Sequence, residues 1–319
     1  TDCSWVAPVM YIIGIGSVLV SAIMLKKTKP FHGPAAPFIM ELPQYHIPSI
    51  RTVLLHTWER LWSFIKKAGT ILFLACLVMW FLASYGWNHK TEKVEVSENG
   101  TVVEQSVEKT SFGLVEDADD SIMAKVGGAI RYIFVPLGFG NEQGGWQCAA
   151  ASISGFSAKE GIVSTMGVLA GVDSEEEPEE AAVAESSAAE GEEEAEEDED
   201  AENKAIGKRI AELAWFPTAL AAFAFLMFNL LDSPCLAAIS TMANELKSRK
   251  WFWFAIGFQN IYAYVMTMIV FQLGSLFAGH AFGNGYSLPA LIISFLFLAG
   301  ILFMLFRPNP YEKKGKVSA

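Results

Sequence analysis

The chain has 319 residues, of which 52% are hydrophobic and only 18% are charged. This balance excludes an ordinary soluble domain of the same length and favours a protein that lipid solvates. The net charge of −12 comes from one segment, because residues 173–202 hold 17 acidic side chains and no Lys or Arg. The other residues include 18 acidic and 23 basic side chains, so the main body of the protein is mildly basic.

Five stretches without a charged side chain are about as long as a membrane-spanning helix, which needs about 20 mostly apolar residues. A single such stretch also fits a buried helix of a soluble protein. Five in one chain predict an all-α fold, that of a polytopic transmembrane helical protein. The stretches are Cys3–Leu25, Ala68–Trp87, Leu213–Leu231, Trp251–Gly279 and Tyr286–Phe306.

Residues 1–29 are predicted to contain the first transmembrane helix. This helix is followed by Lys26, Lys27 and Lys29, and positive residues beside a span tend to stay in the cytoplasm. The chain begins at Thr1, and no basic segment or clear cleavage site flanks the first span, so the pattern is not that of a signal peptide. We expect the chain to be a piece of a longer protein.

Residues 30–67 are predicted to form a cytoplasmic linker and an interfacial amphipathic helix. The helix is expected over Ser49–Lys67, where apolar residues recur at spacings of three and four with basic residues among them. This pattern is typical of a helix lying in the headgroup region of a membrane. A helix packed on another domain fits the same pattern.

Residues 68–172 are predicted to contain a transmembrane helix, an exterior loop and a helical hairpin. The span Ala68–Trp87 leads to the exterior, where the sequence KVEVSENGTVVEQSVE alternates between apolar and polar residues. This alternation predicts a small exterior β-hairpin with its turn at Asn99 and Gly100.

The segment Ser121–Gly171 is apolar but irregular. Pro136 and several glycines interrupt its first half, and Lys159 and Glu160 lie in the middle of an apolar stretch rich in small residues. Broken backbone at membrane depth is tolerated where protein or a water-filled cavity surrounds it. We therefore predict a discontinuous or re-entrant helix hairpin, both ends of which lie outside the membrane on the exterior face. A single crossing by this segment is the alternative, and it requires a second hairpin at Pro234.

Residues 173–204 form an acidic insert with few bulky apolar side chains, which predicts a disordered exterior spacer. Residues 205–306 are predicted to contain the remaining transmembrane helices. A helix over Ile206–Leu231 is expected to break at Asp232–Cys235 and to resume over Leu236–Leu246. The spans over Trp251–Gly279 and Tyr286–Phe306 follow, and residues 307–319 form a basic cytoplasmic tail.

No P-loop, H-E-x-x-H motif, nucleophile elbow or dinucleotide fingerprint occurs in the sequence, so an enzyme is disfavoured. The candidate functional residues are polar groups at predicted helix breaks, which are costly in a membrane unless they are paired or line a pathway. Glu160, Asp232 and Cys235 are candidate metal ligands. The structural alternative is that Asp232 caps the short helix after Pro234 and that Cys235 packs.

Several sequence motifs together resemble one family. They are MELPQYHIP, TWERLWSFIKKAGTILF, FVPLGFG, SGFSAKEGIVSTMG and SPCLAAISTMANE. The chain resembles the C-terminal half of ferrous iron transport protein B, which contains the second gate repeat, and the resemblance covers nearly everything except residues 173–202. In that family a Cys after Pro at the gate helix break is a proposed metal site, and Cys235 occupies that position.

The resemblance implies an Fe²⁺ importer of the bacterial plasma (inner) membrane. Fe²⁺ would be the transported ion, and no cofactor is expected in this chain. GTP would bind only to a G-protein domain that, like the first gate repeat, precedes this sequence or belongs to a separate chain. Residues 1–29 would then end the preceding gate, and residues 205–306 would belong to the second gate. Other expected partners are the lipid bilayer, small accessory iron-transport proteins and further copies of the chain, but not nucleic acid.

Two other functions fit parts of the pattern. A nucleoside carrier or a spore-maturation membrane protein shares the gate architecture, although neither is expected to contain ELPQY or the SPC break. A membrane anchor for a separate GTPase, without transport, is the alternative from a different class.

Overall fold

The computed structural model describes residues 5–31, 49–98, 101–115, 118–171, 203–246, 248–280, 282–283 and 285–308. These residues form ten α-helices and one β-hairpin. The helices are α1 (Val6–Lys26), α2 (Ile50–Ser84), α3 (Ile122–Phe134), α4 (Gly145–Ser157), α5 (Gly161–Leu169), α6 (203–212), α7 (Ala219–Leu231), α8 (Leu236–Glu245), α9 (Arg249–Phe277) and α10 (Leu288–Phe306). The strands are β1 (Tyr85–Glu98) and β2 (Thr101–Leu114), and 3-10 turns occupy Lys29–Phe31, Ala118–Asp120 and Val135–Leu137.

Four helical stretches in the described part of the chain are long and apolar enough to cross a membrane. They are α1, α9, α10 and Ala219–Ala243, which includes the break between α7 and α8. The predicted all-α, polytopic transmembrane fold is therefore confirmed. The remaining predicted span belongs to α2, in which Phe73–Ser84 is a shorter apolar stretch.

Helix α2 joins two segments that the sequence analysis separates. Ser49 caps the helix by accepting a hydrogen bond from the backbone N–H of Thr52 at 3.4 Å. The helix then continues for 35 residues, about 52 Å at 1.5 Å per residue. The predicted end of an amphipathic helix at Lys67 was wrong, because a single glycine at position 69 does not stop a helix whose neighbours are good helix formers.

The β-hairpin follows α2 directly. Its register pairs Tyr85 with Leu114 and Glu98 with Thr101, so two residues connect the strands. The predicted turn position is confirmed by this register, although residues 99 and 100 lie outside the described ranges. The predicted end of the span at Trp87 was wrong, since the helix stops at Ser84 and the first strand takes in the last three residues of the apolar stretch.

Helices α3, α4 and α5 form the compact, irregular part of the fold. Helix α3 ends before the 3-10 turn that contains Pro136, and the chain reverses at Gly138, whose φ is +93°. The backbones of α3 and α4 approach closely at Gly127, where a Cβ atom would lie 2.7 Å from the carbonyl oxygen of Trp146. A second break separates α4 from α5 at residues 158–160.

The predicted continuous helix Ile206–Leu231 is wrong. The chain instead forms α6, an irregular segment over residues 213–218, and then α7, which Thr218 caps through a hydrogen bond from the N–H of Ala221. The irregular segment is docked on the start of α4, because Asn141 Nδ2 donates to the carbonyl oxygen of Trp215 at 3.1 Å. Trp215 is buried. Pro217 also prevents one continuous helix here, because it has no backbone N–H and the residue before it avoids the helical conformation.

Helices α7 and α9 are antiparallel. Near the start of α7, Leu220 packs against Gly274, close to the end of α9. Beyond the end of α7, the carbonyl oxygen of Asp232 accepts a hydrogen bond from Gln259. Gln259 lies about 15 Å along α9 from Arg249, and about 27 Å from the last residue of that helix. The end of α7 therefore lies well inside the length of a membrane-spanning helix.

The ends of three helices meet at what we call the basic end of the protein, defined by Lys27, Lys250 and Arg307. The Lys27 ammonium donates to the carbonyl oxygens of Leu305 (2.5 Å) and Arg307 (2.7 Å). The Phe31 ring lies 5.0 Å from the Trp251 ring, between centroids. The structure thus places the end of the first span, the start of α9 and the end of α10 on one side, as the positive-inside pattern predicts.

Candidate ion site at the break between α7 and α8

The sequence Asp232-Ser233-Pro234-Cys235 interrupts the span formed by α7 and α8. Pro234 has no backbone N–H, and a residue before proline avoids the helical conformation. Helix α7 accordingly ends at Leu231, and α8 starts at Leu236 with Cys235 as its N-cap. The predicted break is confirmed. Asp232 does not cap α8, because its carboxylate points to another element.

That element is the turn between α4 and α5. The Lys159 ammonium donates to Oδ1 of Asp232 and to the carbonyl oxygen of Asn229. Asp232 is 3% exposed and the Lys159 side chain 34%. A buried carboxylate in a membrane protein needs such a partner, since the desolvation cost of an unpaired charge is several kcal/mol.

The hairpin of α4 and α5 is re-entrant. Helix α4 starts where Gly144 meets Trp215, next to the start of α7, and its turn at residues 158–160 reaches the end of α7. Helix α5 then returns, so that Gly167 packs against Ile206 and the carbonyl oxygen of Ala170 accepts from Arg209. Both ends of the α4–α5 hairpin thus lie on the side opposite the basic end, and this hairpin is the second part of the predicted hairpin Ser121–Gly171. Lys159 and Glu160, which lie in the middle of an apolar stretch of the sequence, form the turn between α4 and α5 and are not part of a helix.

Two amide side chains of α9 hold the backbone at the break. Gln259 Nε2 donates to the carbonyl oxygen of Asp232 at 2.9 Å, and Asn260 Nδ2 donates to Oγ of Ser233 at 2.6 Å. Sequence analysis did not identify either residue. The signal was present, because two adjacent amides interrupt an otherwise apolar span and must find partners there.

The three sequence-predicted ligands have different positions. Asp232 is buried in the break, and Cys235, three residues later, is a half-buried free thiol whose side chain makes no capping hydrogen bond. Glu160 is exposed beside Lys159 and does not share the Asp232 contact. Within the described ranges, no group of three His, Cys, Asp or Glu side chains is placed to hold a metal ion.

Asn229, whose backbone carbonyl oxygen contacts Lys159, carries a further oxygen in its side chain. Its Nδ2 donates to the carbonyl oxygen of Phe225 at 2.9 Å, whereas its buried Oδ1 has no hydrogen-bond partner. An unpaired buried amide oxygen is uncommon and calls for an explanation such as a bound ion or water. Sequence analysis missed Asn229, although an Asn in the apolar run FLMFNLL was a visible signal.

Hydroxyl groups make the turn of the re-entrant hairpin rigid. Ser154 Oγ, in α4, contacts the carbonyl oxygens of Ala151 (2.7 Å) and Gly161 (3.2 Å). Thr165 Oγ1, in α5, donates to the same hydroxyl at 3.0 Å. These contacts connect the two helices on either side of Lys159, so its ammonium is held at a defined depth.

Two family models match the chain. The one described as "Ferrous iron transport protein B C terminus" matches residues 7–60, and the gate model, described as "Nucleoside recognition", matches residues 65–249. The second match covers more than half of the chain and includes the break, the re-entrant hairpin and their contact.

Curated relatives agree with these matches. A fusion of Fe(2+) transport protein A with the Fe(2+) transporter FeoB, from Porphyromonas gingivalis, is 30% identical over 84% of this chain and 30% of its own length. The Fe(2+) transporter FeoB of Staphylococcus aureus is 30% identical over 84% of this chain and 31% of its own. That of Methanocaldococcus jannaschii is 28% identical over 84% and 32%, respectively. The chain therefore spans about a third of the length of these relatives. No solved structure matches it.

Proposed function

The chain belongs to the gate family and corresponds to the C-terminal part of ferrous iron transport protein B, and from this premise we propose that it forms a gate for Fe²⁺ uptake. The transported ion would bind transiently at the break between α7 and α8. The chain itself would carry out no chemical reaction. We further propose that it lies in a bacterial plasma (inner) membrane as a multi-pass protein.

One observation carries the proposal: a buried carboxylate lies at a helix break in a membrane protein and is met by the turn of a re-entrant hairpin. Transporters bind their substrate and ions at such discontinuous helices, where freed backbone groups and a few polar side chains replace water. A purely structural helix break does not need a buried charge. The Asp232–Lys159 pair is therefore better explained by ion passage than by stability.

The donors around the break suit Fe²⁺. The Asp232 carboxylate, the unpaired Oδ1 of Asn229 and the Cys235 thiol supply hard and soft ligands of the kinds that first-row divalent metals accept. Glu160, which is exposed at the hairpin turn, would meet the ion before or after this site. The thiol favours Fe²⁺ over Mg²⁺ and Ca²⁺, which bind mainly oxygen ligands.

Lys159 gives the site a resident positive charge. Its ammonium must leave Asp232 before a divalent cation can bind the carboxylate, because two cations this close repel each other. Lys159 belongs to the re-entrant hairpin and Asp232 to the broken span. Ion entry would therefore separate the two elements, and ion exit would restore their contact.

Coupling to nucleotide hydrolysis would come from outside this sequence. We propose that a G-protein domain and a first gate repeat, either upstream or on a separate chain, complete the transporter. Small accessory iron-transport proteins and further copies of the chain are the other proposed partners. One relative is a fusion with Fe(2+) transport protein A, which supports a small accessory protein as a partner.

The experiment that tests the proposed function is ⁵⁵Fe²⁺ uptake by cells that express the natural reading frame with Cys235→Ser. We expect uptake to fall about tenfold or more at unchanged membrane protein level, since serine keeps the size but removes the soft ligand. Cys76→Ser is the matched control, because Cys76 is an exposed free thiol on α2 outside the break, and serine can keep its contact with Ser157 Oγ. Equal uptake by wild type and Cys235→Ser would contradict the proposal and leave Cys235 as a packing residue.

A further inference from the structure

A long groove lies between α1 and α9 and extends to the basic end; its inner end is lined by Gln259, which also bonds the backbone at the ion site proposed above. It consists of two adjoining cavities of about 600 and 640 Å³. Each volume is within the range of pockets that bind small molecules. The two cavities share five lining residues and therefore lie side by side along α1 and α9. The shared residues are Leu25, Phe31, Trp251, Phe254 and Phe258.

Two contacts hold α1 and the turn after it against α9 along the groove. At the inner end, Tyr262 Oη donates to the carbonyl oxygen of Ser17 at 3.1 Å. Where the two cavities adjoin, the Phe31 ring packs on Trp251. From Ser17 to Thr28 the groove runs for about 16 Å along α1. This length is about half of the ~30 Å hydrocarbon thickness of a bilayer, so the groove matches an acyl chain of one leaflet.

The polar residues that line the groove use their hydrogen-bond donors within the protein, so the groove offers a ligand a mainly apolar surface. Ser21 Oγ donates to the carbonyl oxygen of Val18, Thr28 Oγ1 to that of Leu25, and Gln259 Nε2 to that of Asp232. These donors are therefore already used within the protein. An ion or a sugar would find few partners in the groove, whereas a hydrocarbon chain requires none.

The mouth of the groove is basic. Lys250 lines the outer cavity, whose lining residues include no acidic side chain. Lys26, Lys29 and Arg249, next to lining residues in the sequence, are exposed. The Lys27 ammonium already donates to two carbonyl oxygens at the end of α10, so it is not counted among the groups that would bind a ligand. An apolar groove with a basic mouth at membrane depth is complementary to a lipid with a negatively charged headgroup.

We propose that this groove binds one anionic phospholipid, with an acyl chain between α1 and α9 and the phosphate group at Lys250. The aromatic rings at the mouth lie at the level where Trp and Tyr side chains usually meet lipid headgroups. The bound lipid fills the space between the first span and α9. The inference does not depend on which ion the protein transports.

Native mass spectrometry of the purified chain tests the inference. The protein is exchanged into detergent with equal amounts of phosphatidylglycerol and phosphatidylcholine that carry the same acyl chains. We expect wild type to retain more phosphatidylglycerol than phosphatidylcholine. Lys250→Gln should reduce that preference about fivefold, which is roughly the contribution of one basic residue to binding at an anionic membrane surface. Lys208→Gln, which changes an exposed lysine on α6, is the matched control and should leave it unchanged.

A second variant tests the apolar part of the site. Ala255 lines the inner cavity, so Ala255→Trp should fill it and abolish retention of both lipids. Circular dichroism and gel filtration establish whether this variant is folded, and Lys250→Gln decides the question if it is not. Equal retention of the two lipids by wild type, or unchanged preference in Lys250→Gln, would overturn the inference. So would a lipid-free dimer of wild type that Ala255→Trp dissociates, since a second copy would then occupy the groove.

Discussion

The outer helices and the inner part of the protein contain the same kinds of apolar residue, but the outer helices face lipid and the inner part is surrounded by protein. Helices α1 and α10 are unbroken and expose large apolar side chains such as Ile12, Leu296 and Phe303. The inner elements α4, α5 and α7 are 9 to 13 residues long and end at breaks. Lipid cannot satisfy a broken backbone, so breaks at this depth occur only where protein surrounds them.

Polar burial follows the same division. The buried polar side chains lie mainly on α4, α7, α9 and the break that follows α7, whereas α1 and α10 contribute one serine each, Ser17 and Ser294. A membrane protein gains little stability from buried polar groups, because hydrogen bonds inside a membrane are individually weak. Asn229, Asp232 and Ser233 lie together at the break, where they include a charged group, whereas Gln272 bonds loop backbone near the other end of α9.

The largest expected effect comes from removing the carboxylate at the break. Asp232→Asn removes the negative charge beside Lys159, whose ammonium keeps its hydrogen bond to the carbonyl oxygen of Asn229 and is 34% exposed, so we expect loss of Fe²⁺ uptake together with a destabilisation of about 1.5–3 kcal/mol. Uptake and the membrane level of the protein, measured in the same cells, check both parts.

The double variant Asp232→Asn with Lys159→Met separates the two roles. A neutral pair removes the unpaired charge, so the protein level should return while uptake stays low. Full uptake in the double variant would show that the pair is structural only. The buried polar groups of the inner helices would then not be explained by ion passage.

An intermediate effect is expected where two inner backbones touch. Gly127→Ala places a Cβ atom 2.7 Å from the carbonyl oxygen of Trp146, so α3 and α4 must separate. We expect a loss of about 1–3 kcal/mol in unfolding free energy, the usual cost of overpacking. The neighbouring Gly128→Ala is the matched control, because its Cβ meets nothing within 4 Å. Detergent unfolding followed by circular dichroism gives the comparison, and equal losses in both variants would contradict close packing at this point.

The smallest effect is expected on the outer helices. Leu296 is 68% exposed on α10. Leu296→Ala removes contacts with lipid and few with protein, so the unfolding free energy should change by about 0.5 kcal/mol or less. The same unfolding assay measures it. A loss as large as that of Gly127→Ala would show that a protein surface covers this face.

The sequence was sufficient to predict features that local chemistry decides. The charge-free stretches predict the spans, Pro234 predicts the break, and Asn99-Gly100 predicts the hairpin turn, because each depends on neighbouring residues alone. The end of α6 and the continuity of α2 were missed. The interruption after α6 had a local signal in Pro217, whereas the position of the irregular segment depends on the burial of Trp215 against α4, a contact between residues far apart in the chain.

The candidate site was predicted only in part for the same reason. Asp232 and Cys235 could be selected because they flank a proline in an apolar span. The partner of Asp232 could not, because Lys159 comes from a hairpin 73 residues away in the chain. The amides of Gln259 and Asn260 belong to a third element. The predicted disorder of the acidic insert and the ELPQY segment lie outside the described residues.

Protection of Cys235 from alkylation by Fe²⁺ tests the central claim most directly. The purified chain with Cys3 and Cys76 changed to serine is treated anaerobically with a maleimide, with Fe²⁺ or Mg²⁺ present or with no added metal. Cys148 is fully buried, so Cys235 is the accessible thiol among the described cysteines of this variant. An ion at the break predicts that Fe²⁺ slows alkylation about tenfold, that Mg²⁺ does not, and that Asp232→Asn abolishes the protection. The same alkylation rate with and without Fe²⁺ would contradict an ion site between α7 and α8.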